Sequence, residues 1–162
     1  MILVTVGMQL GFDRLVRAMD TLAPSLDMPF VAQTGSGHYR PAHMERRERI
    51  APAEFDALVR EARVVVSHAG IGTVIAAQRA GTPIVLMPRR AALGEHRNDH
   101  QLATVRSLGG RPGILIADDE IGLPSRIEQA LAMDSWTAEG SADAGSLVEA
   151  VAAFIAIGRL GD

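Results

Sequence analysis

The feature that most constrains the fold of this chain is a run of three valines that leads into a turn with two glycines. Val64, Val65 and Val66 are followed by Ser-His-Ala-Gly-Ile-Gly-Thr at residues 67–73. An uninterrupted β-branched run is typical of a strand that is buried on both faces, as in a parallel sheet. The apolar residues at 71, 74 and 75 have helical spacing, so the pattern predicts a strand, a turn and a helix in succession.

The turn between this strand and helix is predicted to bind an anion. Gly70 and Gly72 lack the Cβ atoms that would keep a ligand away from the backbone. The first N–H groups of the helix have no partner within it, and the positive end of the helix dipole points into the turn. His68 and Thr73 add side-chain donors. We therefore predict a diphosphate site, and favour this role for His68 over a purely capping one.

The rest of the chain predicts alternating strands and helices. Gly81 and Pro83 end the helix, and residues 84–87 form the next buried strand. Other strands are predicted at residues 2–6, 29–33, 43–50 and 113–117, and other helices at residues 13–22, 53–61, 121–133 and 146–157, with a loop at 134–145. One more helix opens in the polar half of residues 89–101 and runs to Leu108. This alternation predicts an α/β fold, a single Rossmann-like domain over residues 1–162 with a doubly wound parallel sheet.

Composition narrows the class of protein. A chain of 162 residues with 48% hydrophobic content has the size of one domain with a proper core. The net charge of −3 argues against a partner nucleic acid, which would require a basic face. The charges of residues 43–50 are mixed, so we interpret them as a solvated strand face and not as a basic recognition patch. The absence of cysteine excludes disulfides and thiolate metal sites.

The sequence predicts neither a secretory signal nor a membrane span. The chain opens directly with an apolar strand and lacks the basic n-region of a signal peptide. The longest apolar stretch near the end, residues 150–157, is well short of the roughly 20 residues that cross a bilayer. We therefore expect a cytoplasmic protein.

A second group of chemically active side chains comprises Glu95, His96, Asp99, His100 and Gln101. The two histidines are spaced i, i+4 and could share a helix face as metal ligands, with either carboxylate completing the site. Two histidines without an HExxH glutamate are a weak signal, and we predict no metal. The carboxylate of Glu95 is the candidate general base for an acceptor hydroxyl.

Two further features flank these motifs. The loop at residues 7–11, which follows the first strand, offers a second approach to a ligand. Arg89 and Arg90 follow the strand at residues 84–87. Their guanidinium groups would either help to neutralise a diphosphate or be solvated, and the sequence leaves both alternatives open.

The motifs together resemble the nucleotide-sugar-binding half of GT-B glycosyltransferases, specifically family 28 with its MurG-like C-terminal domain. In size and motifs the chain is most similar to small catalytic subunits of two-part transferases. These are the PssE type of exopolysaccharide synthesis and the eukaryotic dolichol-linked N-acetylglucosaminyltransferase subunit. The resemblance covers about residues 1–108 and rests on three motifs in order: VTVG with FDRL (4–7 and 12–15), SHAGIGT (67–73) and EHRNDHQ (95–101).

The resemblance implies a set of donor-binding residues. They are Gly7, His68, Gly70, Ile71, Gly72, Thr73, His96, His100 and Gln101. Those within residues 67–73 match the family's diphosphate-binding positions, and His100 and Gln101 match positions beside the donor sugar. One position departs from the family: Ala76 stands where many relatives carry a glutamate that binds the ribose hydroxyls. Gln78 is one turn out of phase to replace that glutamate.

The function implied by the resemblance is that of a donor-binding catalytic subunit of a glycosyltransferase. It would move a sugar, such as glucuronate or N-acetylglucosamine, from a UDP-sugar to a lipid-linked acceptor in surface or exopolysaccharide biosynthesis. No cofactor is expected, because transfer would depend on positioning the donor and stabilising the departing diphosphate.

The resemblance also implies a partner. A GT-B active site lies between two Rossmann-like domains and this chain supplies one, so we expect a membrane-anchored, acceptor-binding subunit that holds the chain at the inner face of the membrane. The predicted last helix carries an apolar stripe that would either face this partner or pack on the chain's own sheet. The stripe consists of Leu147, Val148, Val151, Phe154 and Ile155.

Two alternatives belong to other functional classes. The first is a non-catalytic, nucleotide-binding regulatory module, which Ala76 favours. The second is a dinucleotide-binding oxidoreductase domain. It is disfavoured because the Gly-x-Gly pair at residues 70–72 follows the fourth strand, whereas the fingerprint of that class follows the first.

Overall fold

The computed structural model describes residues 1–133. The predicted loop at residues 134–145 and the predicted last helix, with its apolar stripe, lie outside the described residues. The strands are β1 (Ile2–Thr5), β2 (Phe30–Gln33), β3 (Glu45–Arg47), β4 (Val64–His68), β5 (Ile84–Met87) and β6 (Ile114–Ile116). The α-helices are α1 (Asp13–Leu22), α2 (Pro52–Glu61), α3 (Ile71–Ala80), α4 (His100–Leu108) and α5 (Leu123–Leu131), with 3₁₀ turns at Ala23–Ser25 and Ala91–Leu93.

The six strands pair in parallel in one sheet, in the order β3-β2-β1-β4-β5-β6. Val4 of β1 lies opposite Ala32 of β2 on one side and Val66 of β4 on the other. The chain therefore runs outward from β1 to β3 and then crosses back to β4. This confirms the predicted α/β fold with a parallel sheet. The reversal of strand order opens a crevice at the carboxyl ends of β1 and β4.

Helices cover both faces of the sheet because successive strand residues point in opposite directions. Val4 faces the core beneath α1 and α5, together with Leu15 and Ile127. Leu3 faces the second core, beneath α2, α3 and α4, together with Val74. The central strands are thus buried on both sides, which explains why they are apolar throughout and not alternating.

The edge strand β3 is shorter than predicted, because only Glu45–Arg47 pairs with β2. Its charges neutralise one another: Arg47 contacts the carboxylates of Glu45 and Glu54. This arrangement agrees with a solvated strand face. Within residues 1–133 no helix has the length and apolar character that a membrane span requires.

Two helix boundaries have visible local causes. Gly81 ends α3 with φ of 67°, in the left-handed region, as predicted from the glycine. Helix α5 begins at Leu123 and not at residue 121, because Oδ1 of Asp119 accepts the N–H groups of Ile121 and Gly122 at 3.0 and 3.1 Å. Those two residues therefore form a turn before the helix.

Candidate functional site

The amino end of α3 lies at the crevice between β1 and β4. The N–H group of Gly70 donates to the carbonyl of His68 over 2.7 Å, and α3 begins at Ile71. The N–H group of Val74 is the first to bond back, to the carbonyl of Gly70. The N–H groups of residues 71–73 have no acceptor in the described part of the chain. Together with the helix dipole they are placed to bind an anion.

The two glycines of this turn serve different purposes. A Cβ atom built on Gly70 would lie 2.2 Å from Nε2 of His68, whereas one built on Gly72 has no neighbour within 4 Å in the described part of the chain. The space beside Gly70 is therefore taken by the imidazole ring, and only Gly72 leaves room for a ligand. The prediction that both glycines leave room for a ligand is therefore wrong for Gly70.

Gly7 packs on the other side of the same ring. Its φ is 77°, and a Cβ atom there would lie 2.8 Å from Cε1 of His68. The imidazole is thus held between the loop after β1 and the turn after β4. His68 is positioned by both loops, and any residue but glycine at position 7 would displace it.

The imidazole of His68 is neutral at neutral pH. Burial and the nearby charge of Arg89 together lower the pKa of His68 to about 4, against the opposing effect of a hydrogen bond with the backbone of Thr5. Oγ of Ser67 lies 3.3 Å from Nδ1. His68 therefore presents a neutral ring to the crevice.

The buried neutral imidazole makes the stability of the fold dependent on pH. His68 takes up a proton near pH 6.5 in the unfolded chain but only near pH 4 in the folded one, so stability falls as the pH falls. We expect its share of the free energy of unfolding to drop by about 2 kcal/mol between pH 7 and pH 5.

Urea denaturation of the wild type and of His68→Gln at both pH values measures this effect. The change in the free energy of unfolding between the two pH values should be smaller in His68→Gln than in the wild type. It should be unchanged in His38→Gln, whose side chain is exposed. Equal changes in all three proteins would contradict the burial of a neutral His68.

Two cavities adjoin at His68. The α2-side cavity, of about 360 Å³, lies over the ends of β1, β2 and β4 and between α2 and α3. Its lining residues are Thr5, Gly7, Met8, Gln33, Ile50, Pro52, Phe55, Asp56, His68, Gly70, Gly72, Thr73 and Ala76. The α4-side cavity, of about 310 Å³, is lined by Val6, Gly7, Met8, Gln9, Leu10, His68, Arg89, His96 and Gln101. The first is mainly apolar and the second mainly polar, and both share Gly7, Met8 and His68.

Gln101 joins the two turns that border the α4-side cavity. Its Oε1 accepts the N–H group of Ala69 at 3.3 Å and that of Arg89 at 3.0 Å. This oxygen is therefore engaged within the protein. The side-chain nitrogen has no protein acceptor among residues 1–133 and is the atom left for a ligand.

Arg89 is not solvated, so one of the two alternatives that the sequence left open is wrong for it. Its side chain is buried, and its guanidinium donates to the carbonyls of Val6, Leu10, Gly11 and Glu95. Burial lowers its pKa to about 10, which leaves it charged at neutral pH. Arg89 therefore holds the loop after β1 in place. Arg90 instead donates to the carbonyl of Asp118, near the surface.

Glu95 is engaged in an ion pair. Nε of Arg14 lies 2.7 Å from Oε1 and its NH2 nitrogen 2.9 Å from Oε2, while the N–H group of Arg90 also donates to Oε2. Hydrogen bonding to Glu95 raises the pKa of Arg14. Both oxygens of Glu95 are held by protein donors and the residue lines neither cavity, so the geometry disfavours the general-base hypothesis.

The two histidines of the same region lie in different surroundings. His96 belongs to the loop before α4, and His100 is the first residue of that helix. Their ring centroids are 5.5 Å apart, but His96 lines the α4-side cavity while His100 is exposed and lines neither cavity. Ile71 likewise lines neither. Within residues 1–133 no three His, Asp or Glu side chains are grouped so that they could hold a metal ion.

Sequence reasoning missed several residues of the α2-side cavity: Thr5, Gln33, Ile50, Phe55 and Asp56. Thr5 and Gln33 could have been found from the sequence, because they are polar residues at the ends of predicted apolar strands. Oγ1 of Thr5 donates to Oε1 of Gln33 over 2.7 Å. No local pattern indicated the other three, since α2 approaches the crevice only in the folded chain.

Comparison with known proteins places this geometry in a family. The model of the glycosyltransferase family 28 C-terminal domain matches residues 1–151. A search of the curated proteins returned no significant match. Among solved structures the chain is similar to the glycotransferase of kitacinnamycin, with 22% identity and a TM-score of 0.57 over 94% of this chain and 39% of that one.

Two further structures are similar. The calicheamicin glycosyltransferase CalG4 has 19% identity and a TM-score of 0.56 over 99% of this chain and 43% of that one. The glycosyltransferase SnogD from Streptomyces nogalater has 22% identity and a TM-score of 0.55, over 93% and 37%. The chain thus spans about two fifths of the length of these structures, and at such identities the likeness concerns the fold. With a family model that matches residues 1–151 and a GT-B-type half-fold, the chain belongs to the glycosyltransferase family 28 C-terminal domain family.

Proposed function

We propose that this chain binds the nucleotide-sugar donor of a glycosyltransferase and contributes the groups that stabilise its departing diphosphate. The observation that carries the proposal is the pair of cavities that adjoin at His68, beside the free N–H groups of α3. The parts of a nucleotide-sugar match these features in order. A flat, largely apolar base suits the apolar cavity, a diphosphate suits the helix terminus, and a polar sugar suits the polar cavity.

The orientation of the donor follows from the character of each cavity. The base occupies the α2-side cavity, where Ile50 and Phe55 offer apolar contact. The diphosphate lies at the amino end of α3, beside Gly72 and Thr73. The transferred sugar extends into the α4-side cavity, where the amide nitrogen of Gln101 is available to its hydroxyls.

Catalysis in this arrangement is stabilisation of a leaving group. As the bond between sugar and diphosphate breaks, negative charge grows on the phosphate oxygens, and the N–H groups of residues 71–73 are already oriented toward it. His68 contributes a neutral donor or, if it takes up a proton as the charge develops, a cationic one. The base that activates the acceptor hydroxyl comes from elsewhere, because Glu95 is engaged with Arg14.

The acceptor side belongs to a partner in this proposal. Met8, Leu10 and Leu93 are apolar, and 62%, 47% and 57% of their respective surfaces is exposed. Two of them line the α4-side cavity, so a second domain seated on them would enclose the transferred sugar. Following the resemblance, we propose a membrane-anchored subunit that presents a lipid-linked saccharide at the inner face of the membrane, in surface polysaccharide assembly.

The proposal is tested by binding and turnover together. Calorimetric titration with UDP, UDP-glucuronate and UDP-N-acetylglucosamine should show binding to this chain, and transfer should require the partner and the lipid-linked acceptor. Binding without transfer in the complete complex would favour the non-catalytic regulatory module. Absence of binding to all three probes would overturn the proposal.

The ion pair of Glu95 leads to a separate prediction about its role. If the carboxylate positions the loop through Arg14, then Glu95→Gln and Arg14→Gln should reduce turnover by similar factors. The double variant should then be little worse than either single one. The pH dependence of turnover should keep its shape in all three variants. An acidic limb that disappears only in Glu95→Gln would instead identify Glu95 as the general base, because protonation at low pH would inactivate it.

A further inference from the structure

Among the described residues, Asp56 is the only carboxylate that lines the α2-side cavity. It lies on α2, and its side chain makes no hydrogen bond or ion pair within the described residues. Glu54 on the same helix, by contrast, contacts Arg47. This exposed carboxylate borders a mainly apolar cavity and is free to receive a ligand's donors.

The opposite wall of the cavity has no group that could do the same. Gly72, Thr73 and Ala76 line it from α3, and the first two mark the diphosphate end. Ala76 lies four residues after Gly72, on the same helix face and about 6 Å farther along the axis. The part of the donor that follows the diphosphate therefore passes a methyl group on α3. Among the described lining residues, the contact with a carboxylate at this level comes from Asp56 on α2.

The chemistry of a carboxylate restricts which part of the donor can lie beside Asp56, next to the diphosphate. An ionised carboxylate only accepts hydrogen bonds, so it repels phosphate but binds two neighbouring hydroxyls through its two oxygens. Between a base beside Phe55 and a diphosphate beside Gly72 lies the pentose, and a ribose carries such a pair of hydroxyls. We propose that Asp56 binds the 2′ and 3′ hydroxyls of the donor ribose and so selects ribonucleotide over deoxyribonucleotide donors. This inference rests on the proposed function.

The test compares two probes, UDP and 2′-deoxy-UDP, by calorimetry on the whole chain. The wild type should bind UDP about tenfold or more tightly than 2′-deoxy-UDP, the effect of one hydrogen bond to a charged group. Asp56→Ala should bind both probes equally, and more weakly than the wild type binds 2′-deoxy-UDP, because the variant also loses the contact with the 3′ hydroxyl. The exposed side chain of Asp56 makes loss of folding unexpected, and a melting curve checks this. Glu61→Ala, an exposed carboxylate on α2 outside the cavity, should keep the discrimination.

Two results would overturn this inference while leaving the proposed function intact. One is equal binding of UDP and 2′-deoxy-UDP by the wild type. The other is undiminished discrimination in Asp56→Ala. Failure of the proposed function has a different signature, because UDP would then not bind at all, or would bind equally well to Gly72→Val.

Discussion

Gly72→Val is expected to abolish binding of UDP and of UDP-sugars. A Cβ atom at position 72 meets no neighbouring atom of residues 1–133 within 4 Å, so the branched side chain would project into the open space at the amino end of α3. That space is where the diphosphate must approach the N–H groups of the helix. The same openness means that the fold tolerates the valine, apart from a helix-propensity effect of less than about 1 kcal/mol.

Calorimetric titration with UDP measures the effect, and a melting curve confirms that the variant is folded. Ala103→Val is the matched control, because Ala103 is exposed in the first turns of α4 and lines neither cavity. Gly72→Ala, with its smaller side chain, should fall between the wild type and the valine variant. Unchanged affinity in Gly72→Val would show that the ligand does not lie on this turn.

Arg89→Met is expected to lower the free energy of unfolding by about 3–5 kcal/mol. The guanidinium is buried against the ring of Phe12, with Cζ 4.8 Å from the ring centroid. Its removal leaves the carbonyls of Val6, Leu10 and Gly11 without this donor. A buried acceptor left unpaired costs about 1–3 kcal/mol, and methionine fills the volume without replacing any hydrogen bond.

Urea denaturation measures this loss, with Arg97→Met as the control, because Arg97 is exposed in the same loop. The variant should also bind UDP-sugars poorly, since the loop that holds Gly7 against His68 would lose its anchor. Arg89→Lys should recover part of the stability, because an ammonium group can reach only some of the carbonyls. A loss below about 1 kcal/mol would mean that the loop is held by other contacts.

Arg89 and Gln101 together explain how two distant loops become one site. The side chain of Arg89 binds the loop after β1, while its backbone N–H donates to Gln101, which also holds the turn after β4 at Ala69. The α4-side cavity lies between these three segments. Its shape therefore depends on side chains that sit behind the ligand surface as well as on those that line it.

The parts that were predicted correctly rest on local patterns. The buried strands, the helix that starts after Gly70 and its end at Gly81 were read from hydrophobic spacing and glycine positions, and each is set by interactions within a few residues. The parallel, doubly wound sheet followed from the alternation of strands and helices. Boundaries such as that of β3 were less exact, because an edge strand ends where its one neighbour stops pairing.

The sequence alone determined the fold class of this protein and the helix terminus at residues 70–73. Both depend on hydrophobic periodicity and glycine conformation, which are set by residues close together in the sequence. Only the tertiary structure decided the state of individual side chains. Glu95 lies 81 residues from its partner Arg14, and Arg89 donates to carbonyls about 80 residues earlier in the chain. Asp56 reaches the cavity because α2 packs beside α3. A charge acquires its role from the groups that surround it after folding, and those groups are distant in sequence.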